Sequence, residues 1–159
     1  MLNCHYERCE KKDRKKQVAT DLLKNSKTVD EALAYLSKFN LISLYQAQLY
    51  IGDATGNYAT VTGAYVIKKT DNNFALTNYC INNGNKKACH RRDVATNYLY
   101  YGTTFQLNDI TNILQKAAQK YPNKYTTNFS MAVNLKATSI NLYFKHDFST
   151  LPLFHLQKN

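Results

Sequence analysis

The sequence predicts an α+β fold in which helices pack on an antiparallel sheet. Apolar residues recur at helical spacing before residue 40 and again over 108–120, whereas a period of two governs 45–79 and the end of the chain. The turns between successive strands are too short for crossover helices, so neighbouring strands must run antiparallel. Because 159 residues fit one domain, we expect a single domain, or part of one, over 1–159.

A helical lead-in is predicted over residues 12–39. Its first helix covers 12–25 and places apolar side chains on one side, at Val18, Leu22 and Leu23. Thr28 and Glu31 have the spacing of a capping box, so a second helix begins at residue 29. Apolar residues at helical spacing extend this helix to residue 39: Val29, Leu33, Leu36 and Phe39.

The stretch 45–79 is predicted to be a meander of short strands. In the first strand one face carries Tyr45, Ala47, Leu49 and Ile51. The segment from Asp53 to Asn57 has the Asp and Gly that tight turns favour, so we interpret Asp53 as a turn residue rather than a catalytic acid. The following strands are expected over 58–62, 65–69 and 74–79.

The remaining residues are predicted to form two helices, a hairpin and a last strand. The helices cover 90–100 and 108–120 and follow a polar loop. The second helix has a buried stripe at Ile110, Ile113, Leu114, Ala117 and Ala118. The hairpin pairs 127–135 with 139–145, and the last strand covers 153–156.

The formal net charge of +10 is concentrated in one run from Lys11 to Lys16 and another from Lys86 to Arg92. Such runs are able to hold phosphates, but no zinc-finger or aromatic ribonucleoprotein motif accompanies them, so RNA binding is the less favoured hypothesis. The first run is equally typical of a solvated helix face. No apolar run reaches the roughly 18 residues of a membrane span, and no signal peptide is visible. A cytoplasmic location is therefore favoured, the alternative being a signal in an N-terminal portion that precedes this sequence.

The four cysteines are interpreted as reduced thiols. Cys4 and Cys9 flank His5, but zinc ligand pairs usually stand closer and require a second pair, so no metal site is expected. The glycines Gly52 and Gly56 lack the lysine of a phosphate-binding loop, and no cofactor is predicted.

Two other groups of residues carry side chains that are capable of chemistry or ligand binding. The neighbours His146, Asp147 and Ser149 point to alternate faces of a strand and lack a nucleophile elbow, which argues against a hydrolase triad. A tyrosine-rich face is interpreted as core and rim packing, although a ligand pocket lined by aromatic rings would use the same residues: Tyr98, Tyr100 and Tyr101.

Three segments, taken in order, resemble part of a known amidase scaffold. They are Tyr50–Val61 with its Asp-x-x-Gly turn, Leu76-Thr77-Asn78, and Cys89-His90-Arg91-Arg92-Asp93. The resemblance is to the choloylglycine hydrolase and penicillin acylase group of N-terminal-nucleophile (Ntn) hydrolases, which includes the acyl-coenzyme A:6-aminopenicillanate acyltransferase-like proteins. It covers most of the chain from about Gln17 onwards. His90 and Arg92 depart from the aromatic residues of the family's segment.

The resemblance implies the second half of an αββα sandwich and a linear-amide C–N hydrolase. Asn78 would donate to the oxyanion at the rim of the active site, and Arg91 would stabilise a thiolate or the tetrahedral intermediate. The family's nucleophile is a processed N-terminal Cys followed closely by Arg and Asp, and the resemblance begins after that segment. Because Cys4 has neither neighbour at the family's spacing, we expect a C-terminal portion that is inactive alone.

Half of a sandwich would leave one sheet face without its covering layer, and we expect this to be the face with Tyr45, Ala47, Leu49 and Ile51. A second copy, or a chain that supplies the N-terminal half, would then cover it. The completed enzyme would take a small acyl-amide substrate. The alternative is a non-catalytic module that binds a partner protein or an anionic ligand through its basic, tyrosine-rich surface.

Overall fold

Helices and antiparallel sheets alternate along the chain in the computed structural model, which confirms the predicted α+β class. The structure describes residues 11–13, 17–45, 47–62, 65–69, 71–76, 89–102, 104–121, 126–149 and 153–155, with only the backbone at Ser43, Tyr45 and Leu153. The chain divides into unit 1, Met1–Asn72 with Asn78–Lys87, and unit 2, Asn73–Thr77 with Ala88–Asn159. The prediction of one domain stays a prediction.

Unit 1 combines two helices with a three-stranded meander. Strands β1 (Lys12–Asp13) and β2 (Phe39–Asn40) form a short parallel pair around helices α1 (Val18–Asn25) and α2 (Val29–Leu36). A 3₁₀ turn over Ile42–Tyr45 leads into the meander. Its strands β3 (Gln48–Gly52), β4 (Tyr58–Thr62) and β5 (Tyr65–Lys68) pair antiparallel in that order.

The core of unit 1 lies between its helices and one face of the meander. Its fully buried apolar members are Val18, Leu22, Ala32, Leu36, Leu41, Leu44 and Val61. Ala47, Leu49 and Ile51 are partly buried against this cluster. The sheet face that was predicted to be bare is therefore covered by α1 and α2, and that prediction is wrong. The Tyr45 side chain lies outside the described residues.

Both helices of unit 1 are shorter than predicted. The first residues predicted for α1 and the last residue predicted for α2 belong to paired strands instead. Strands β1 and β2 pair with each other instead of extending α1 backwards and α2 forwards. The buried Asn40 side chain fixes this pairing, since its Nδ2 donates to the Lys11 carbonyl at 2.6 Å and to Asp13 Oδ1 at 3.1 Å. Leu23, predicted on the buried side of α1, is 86% exposed.

Unit 2 places two helices and a second antiparallel sheet in sequence. The helices are α3 (His90–Tyr101) and α4 (Leu107–Ala117). The strands are β6 (Phe129–Asn134), β7 (Ser139–Phe144) and β8 (Leu153–His155), in that order across the sheet. These elements confirm the predicted helices, hairpin and last strand. Of the strand predicted over 74–79, residues 74–76 belong to no strand and the rest lie outside the described residues.

Helix α4 packs on the sheet of unit 2 through its predicted stripe, of which Ile113 is buried. Tyr143 of β7 is 1% exposed, and its hydroxyl lies 2.7 Å from Thr111 Oγ1. The sheet face that shares the orientation of Tyr143 carries small and polar residues: Ser130, Ala132, Ser139 and Asn141. The large apolar side chains of β6 and β7 therefore lie on the opposite face.

Candidate functional site

Asp53 is a buried carboxylate at the turn between β3 and β4. Its Oδ1 accepts hydrogen bonds from the Thr55 hydroxyl and from the backbone N–H groups of Thr55 (2.9 Å) and Asn57 (3.2 Å). Its Oδ2 accepts from the Val29 N–H at 3.0 Å, so the same side chain satisfies a donor in the first turn of α2. Gly56 closes the turn at φ 85°, which confirms Asp53 as a turn residue.

The pKa of Asp53 is lowered from its ordinary value of 3.8. Burial is the largest single influence and raises the pKa, but the hydrogen bonds from Thr55, Val29 and Asn57 together outweigh it. Asp53 is therefore ionised at neutral pH, with both oxygens engaged in the fold. It holds the β3–β4 turn to α2 and is not suited to donate a proton.

Two neighbouring arginines in the first turn of α3, Arg91 and Arg92, differ in their hydrogen bonds. Arg92 donates from Nε (3.2 Å) and Nη2 (3.0 Å) to Asp93 Oδ1. Arg91 is half-buried, and its Nε is shielded from solvent without a hydrogen-bond partner among the described residues. A shielded donor without a partner is costly, so Arg91 retains capacity to bind a carboxylate or an oxyanion. Arg92 Nη1 is likewise shielded from solvent without a hydrogen bond among the described residues, so the shielded donors do not distinguish the two residues. They differ in that Arg92 is paired with Asp93, and the choice of Arg91 as the site residue stays a prediction.

The other predicted site residue, Asn78, lies outside the described residues. Its predicted proximity to Arg91 therefore stays a prediction. Cys89 precedes α3 and forms no disulfide within the described part of the chain. The remaining cysteines, at positions 4, 9 and 80, lie outside the described residues.

A cavity of about 470 Å³ lies in unit 2 beside the turn that joins α3 to α4. Its wall consists of aromatic rings and a few polar groups, from Asn97, Tyr98, Tyr101, Gly102, Thr104, Phe105 and Asp109. This volume is within the range of small-molecule sites, and an aromatic wall with few polar groups is their usual lining. Tyr98 and Tyr101 thus fit the aromatic-pocket alternative. Tyr100 and Tyr101 are 80% and 85% exposed, so neither packs in a core.

Two local features shape this cavity. A Cβ atom at Gly102 would overlap the Phe105 ring, so only glycine allows that ring to approach the end of α3. Asn73 Nδ2 donates to the Leu99 carbonyl at 3.0 Å and to the Gly102 carbonyl at 3.3 Å, which satisfies acceptors at the helix end. The sequence prediction missed Gly102 and Phe105, because only their contact in three dimensions identifies them.

The structure gives no support to a triad at the end of β7. Asp147 Oδ1 accepts from the Ser149 N–H at 2.9 Å and from its hydroxyl at 2.6 Å, which is a local turn. His146, which precedes Asp147 in the sequence, has a left-handed backbone conformation with φ 67°. Within the described ranges, no three His, Cys, Asp or Glu side chains are grouped so that they could hold a metal ion.

No protein-family model, curated protein or solved structure matches this chain. Within the described ranges, none of the helices combines the length and apolar character that crossing a bilayer requires. The candidate sites are thus Arg91 at the head of α3 and the aromatic cavity at its end.

Proposed function

We propose that this chain contributes the C-terminal part of a linear-amide C–N hydrolase that resembles the choloylglycine hydrolase group. The observation that carries the proposal is the pair of arginines at the head of α3. Arg92 donates to Asp93 from Nε and Nη2. Within the described part of the chain, the half-buried Arg91 has no such ion pair, and its Nε, like Arg92 Nη1, is shielded without a hydrogen bond. A cation with free donor capacity suits a reaction in which negative charge develops on a carbonyl oxygen or a thiol.

In this proposal the chain supplies charge stabilisation rather than the nucleophile. A Cys-led segment from outside these 159 residues would attack the amide carbon, with its own α-amine moving the proton. The Asn78 side-chain NH₂ would donate to the tetrahedral oxyanion, and Arg91 would stabilise the thiolate or that oxyanion. Removing one such donor typically lowers kcat about 10²–10³-fold.

The test combines the purified chain with the product of the upstream reading frame, where that frame begins with Met-Cys followed closely by Arg and Asp. We expect the mixture to hydrolyse an N-acyl amino acid or penicillin V, and either polypeptide alone to be inactive. Arg91→Ala should lower kcat about 10²-fold or more. The matched control Arg92→Ala should retain kcat within about tenfold, because Arg92 already pairs with Asp93.

Two results would contradict the amidase proposal. One is turnover by the chain alone that disappears in Cys4→Ala, which would make Cys4 the nucleophile. The other is a complemented enzyme whose kcat is unchanged by Arg91→Ala.

A second candidate function is supported by the aromatic cavity: a non-catalytic module that binds a small aromatic amide. Tyr98, Tyr101 and Phe105 offer ring faces, and Asn97 and Thr104 offer hydrogen bonds. Titration with phenylacetamide, followed by amide chemical shifts, tests this site. Gly102→Ala should displace the Phe105 ring and abolish the shifts, whereas Leu23→Ala, at an exposed position of α1 in unit 1, should preserve them. Equal shifts in wild type and Gly102→Ala would remove the cavity from consideration.

A further inference from the structure

One face of the sheet in unit 2 is apolar and exposed. Phe129, Met131 and Val133 alternate along β6 and are 61%, 48% and 42% exposed. Phe144 of β7 is 54% exposed and Phe154 of β8 is 51% exposed. These five residues form the outer face of the sheet in unit 2.

The strand registers place all five side chains on the same side of the sheet. Phe129 is paired directly with Phe144. Ile140 is paired with Val133 on one side and with Phe154 on the other, so these three share a face. The outer face therefore runs across all three strands without a charged residue.

Helix α4 does not cover the outer face, because it packs on the opposite side of the sheet. There the buried Tyr143 hydroxyl meets Thr111 of α4 at 2.7 Å, and Ala132 is 5% exposed. Side chains alternate along a strand, so contact of α4 with Tyr143 directs Phe144 and Leu142 away from the helix.

The area of the outer face is sufficient for a stable contact. A large side chain contributes roughly 150–250 Å² when fully exposed. At about half exposure, five such residues and their half-buried neighbours leave on the order of 600 Å² of apolar surface. Two copies in face-to-face contact would bury about 1,200 Å² in total, at the lower end of specific protein interfaces.

We propose that a second copy of this chain covers the outer face in a two-fold, sheet-on-sheet dimer. Two identical apolar faces are self-complementary, which a two-fold interface requires. Their side chains would interdigitate with the two sheets about 10 Å apart. The nearest charged residues along the chain, Lys136 and Lys145, lie in the turns that follow β6 and β7 and not in the strands.

The net charge of +10 per copy predicts how salt affects this dimer. Like charges on the two copies repel, and salt screens that repulsion over about 8 Å at physiological ionic strength. Raising the salt concentration should therefore strengthen the dimer. An acidic partner docked on the same face would show the opposite dependence, because salt would weaken its attraction to the lysines.

Sedimentation equilibrium of the full chain, from about 1 to 500 µM at 50 mM and 500 mM salt, tests the proposal. We expect a monomer–dimer equilibrium with a Kd on the order of 10–100 µM, tighter at the higher salt concentration. Met131→Lys should raise the Kd at least about tenfold, because it would bury an unpaired charge. Leu23→Lys is the matched control, since Leu23 is exposed on α1 of unit 1, and it should leave the Kd unchanged.

Val133→Thr is a second variant that keeps the β-branched shape of the strand residue while adding a hydroxyl to the contact. It should fold like wild type and raise the Kd several-fold. A chain that stays monomeric over the whole concentration range would overturn the proposal. So would a dimer that Met131→Lys and Val133→Thr leave intact, or one that dissociates as salt is raised.

Discussion

The two three-stranded meanders of this protein differ in how far their apolar faces are covered. In unit 1, helices α1 and α2 cover the apolar face at β3 and β4, where Val61 is 2% exposed, whereas Val66 on the same face of the edge strand β5 is 50% exposed. In unit 2, helix α4 covers the small and polar face, and Val133 on the apolar face is 42% exposed. Both sheets have the alternation of amphipathic strands, so alternation alone does not decide which face a helix covers.

In each unit a different hydrogen bond attaches a helix to the sheet. Asp53 connects the β3–β4 turn to the start of α2, which holds the helix over Leu49 and Ile51. Tyr143 donates to or accepts from Thr111 of α4, which holds that helix over Ala132. In each unit a side-chain hydrogen bond thus connects a helix to its sheet on the side that the helix covers.

The largest expected effect comes from placing a charge at the centre of each apolar face. Val61→Asp would bury an unpaired carboxylate and should destabilise unit 1 by about 4 kcal/mol or more. The matched change Val133→Asp should cost no more than about 1 kcal/mol, because that position is open to water. Urea denaturation of both variants at low protein concentration measures the two free energies of unfolding. Equal losses would show that the face in unit 2 is covered in the monomer.

Removing the Asp53 carboxylate should have the next largest effect. Asp53→Ala leaves the N–H groups of Val29, Thr55 and Asn57 without their acceptor, and we expect a loss of about 2–4 kcal/mol. The loss should appear in unit 1, as faster hydrogen exchange in α2 and in the β3–β4 hairpin. Unchanged exchange in α2 would mean that this carboxylate does not anchor the helix.

Asp53 also predicts a dependence of stability on pH. Its pKa in the folded chain is lowered below 3.8, so its stabilising contribution is present above that pH and disappears as the pH falls through the lowered value. Wild type should therefore lose stability in acid more steeply than Asp53→Asn, which does not titrate at this position. Parallel acid denaturation curves for the two proteins would contradict the lowered pKa.

A smaller effect is expected when the hydrogen bond between Tyr143 and Thr111 in unit 2 is removed. Tyr143→Phe keeps the ring that lies 5.0 Å from the Phe148 ring but loses the hydroxyl bonded to Thr111. The cost should be about 1 kcal/mol in the free energy of unfolding, which thermal denaturation resolves. A stability equal to that of wild type would indicate that apolar packing of Ile113 is sufficient to hold α4.

The smallest effect is expected at the ion pair between α2 and β5. Lys68 Nζ lies 3.0 Å from Asp30 Oδ1, but the two side chains are 67% and 78% exposed. Lys68→Ala should change the free energy of unfolding by less than about 0.5 kcal/mol, because exposed ion pairs are screened by water. A loss above about 1 kcal/mol would mean that this pair also holds α2 on its sheet.

Local patterns in the sequence predicted most of the elements. The Asp-x-x-Gly turn at Asp53 and the helical stripe around Ile113 each depend on neighbouring residues, and the structure confirms both. The boundary of α2 could not be predicted in this way. Phe39 continues the helical spacing, but its backbone pairs with Lys12, a contact between segments far apart in sequence.

The candidate sites depended even more on tertiary contacts. The sequence singled out Arg91 by its position after Cys89, but the contrast with Arg92 required the observed bond to Asp93. The cavity depends on the Phe105 ring meeting Gly102, which no spacing rule indicates. The exposure of Phe129 likewise follows from the side on which α4 packs, and not from the strand pattern.

Hydroxyl-radical footprinting of the monomer tests the central claim, that the apolar face is covered in unit 1 and open in unit 2, most directly. Labelling of each residue is compared with its labelling in the denatured chain, at a protein concentration well below the expected Kd. We expect Met131, Phe129 and Phe144 to be weakly protected, like the exposed Leu23, and Val61 to be strongly protected. Protection of Met131 and Phe144 equal to that of Val61 would contradict the claim.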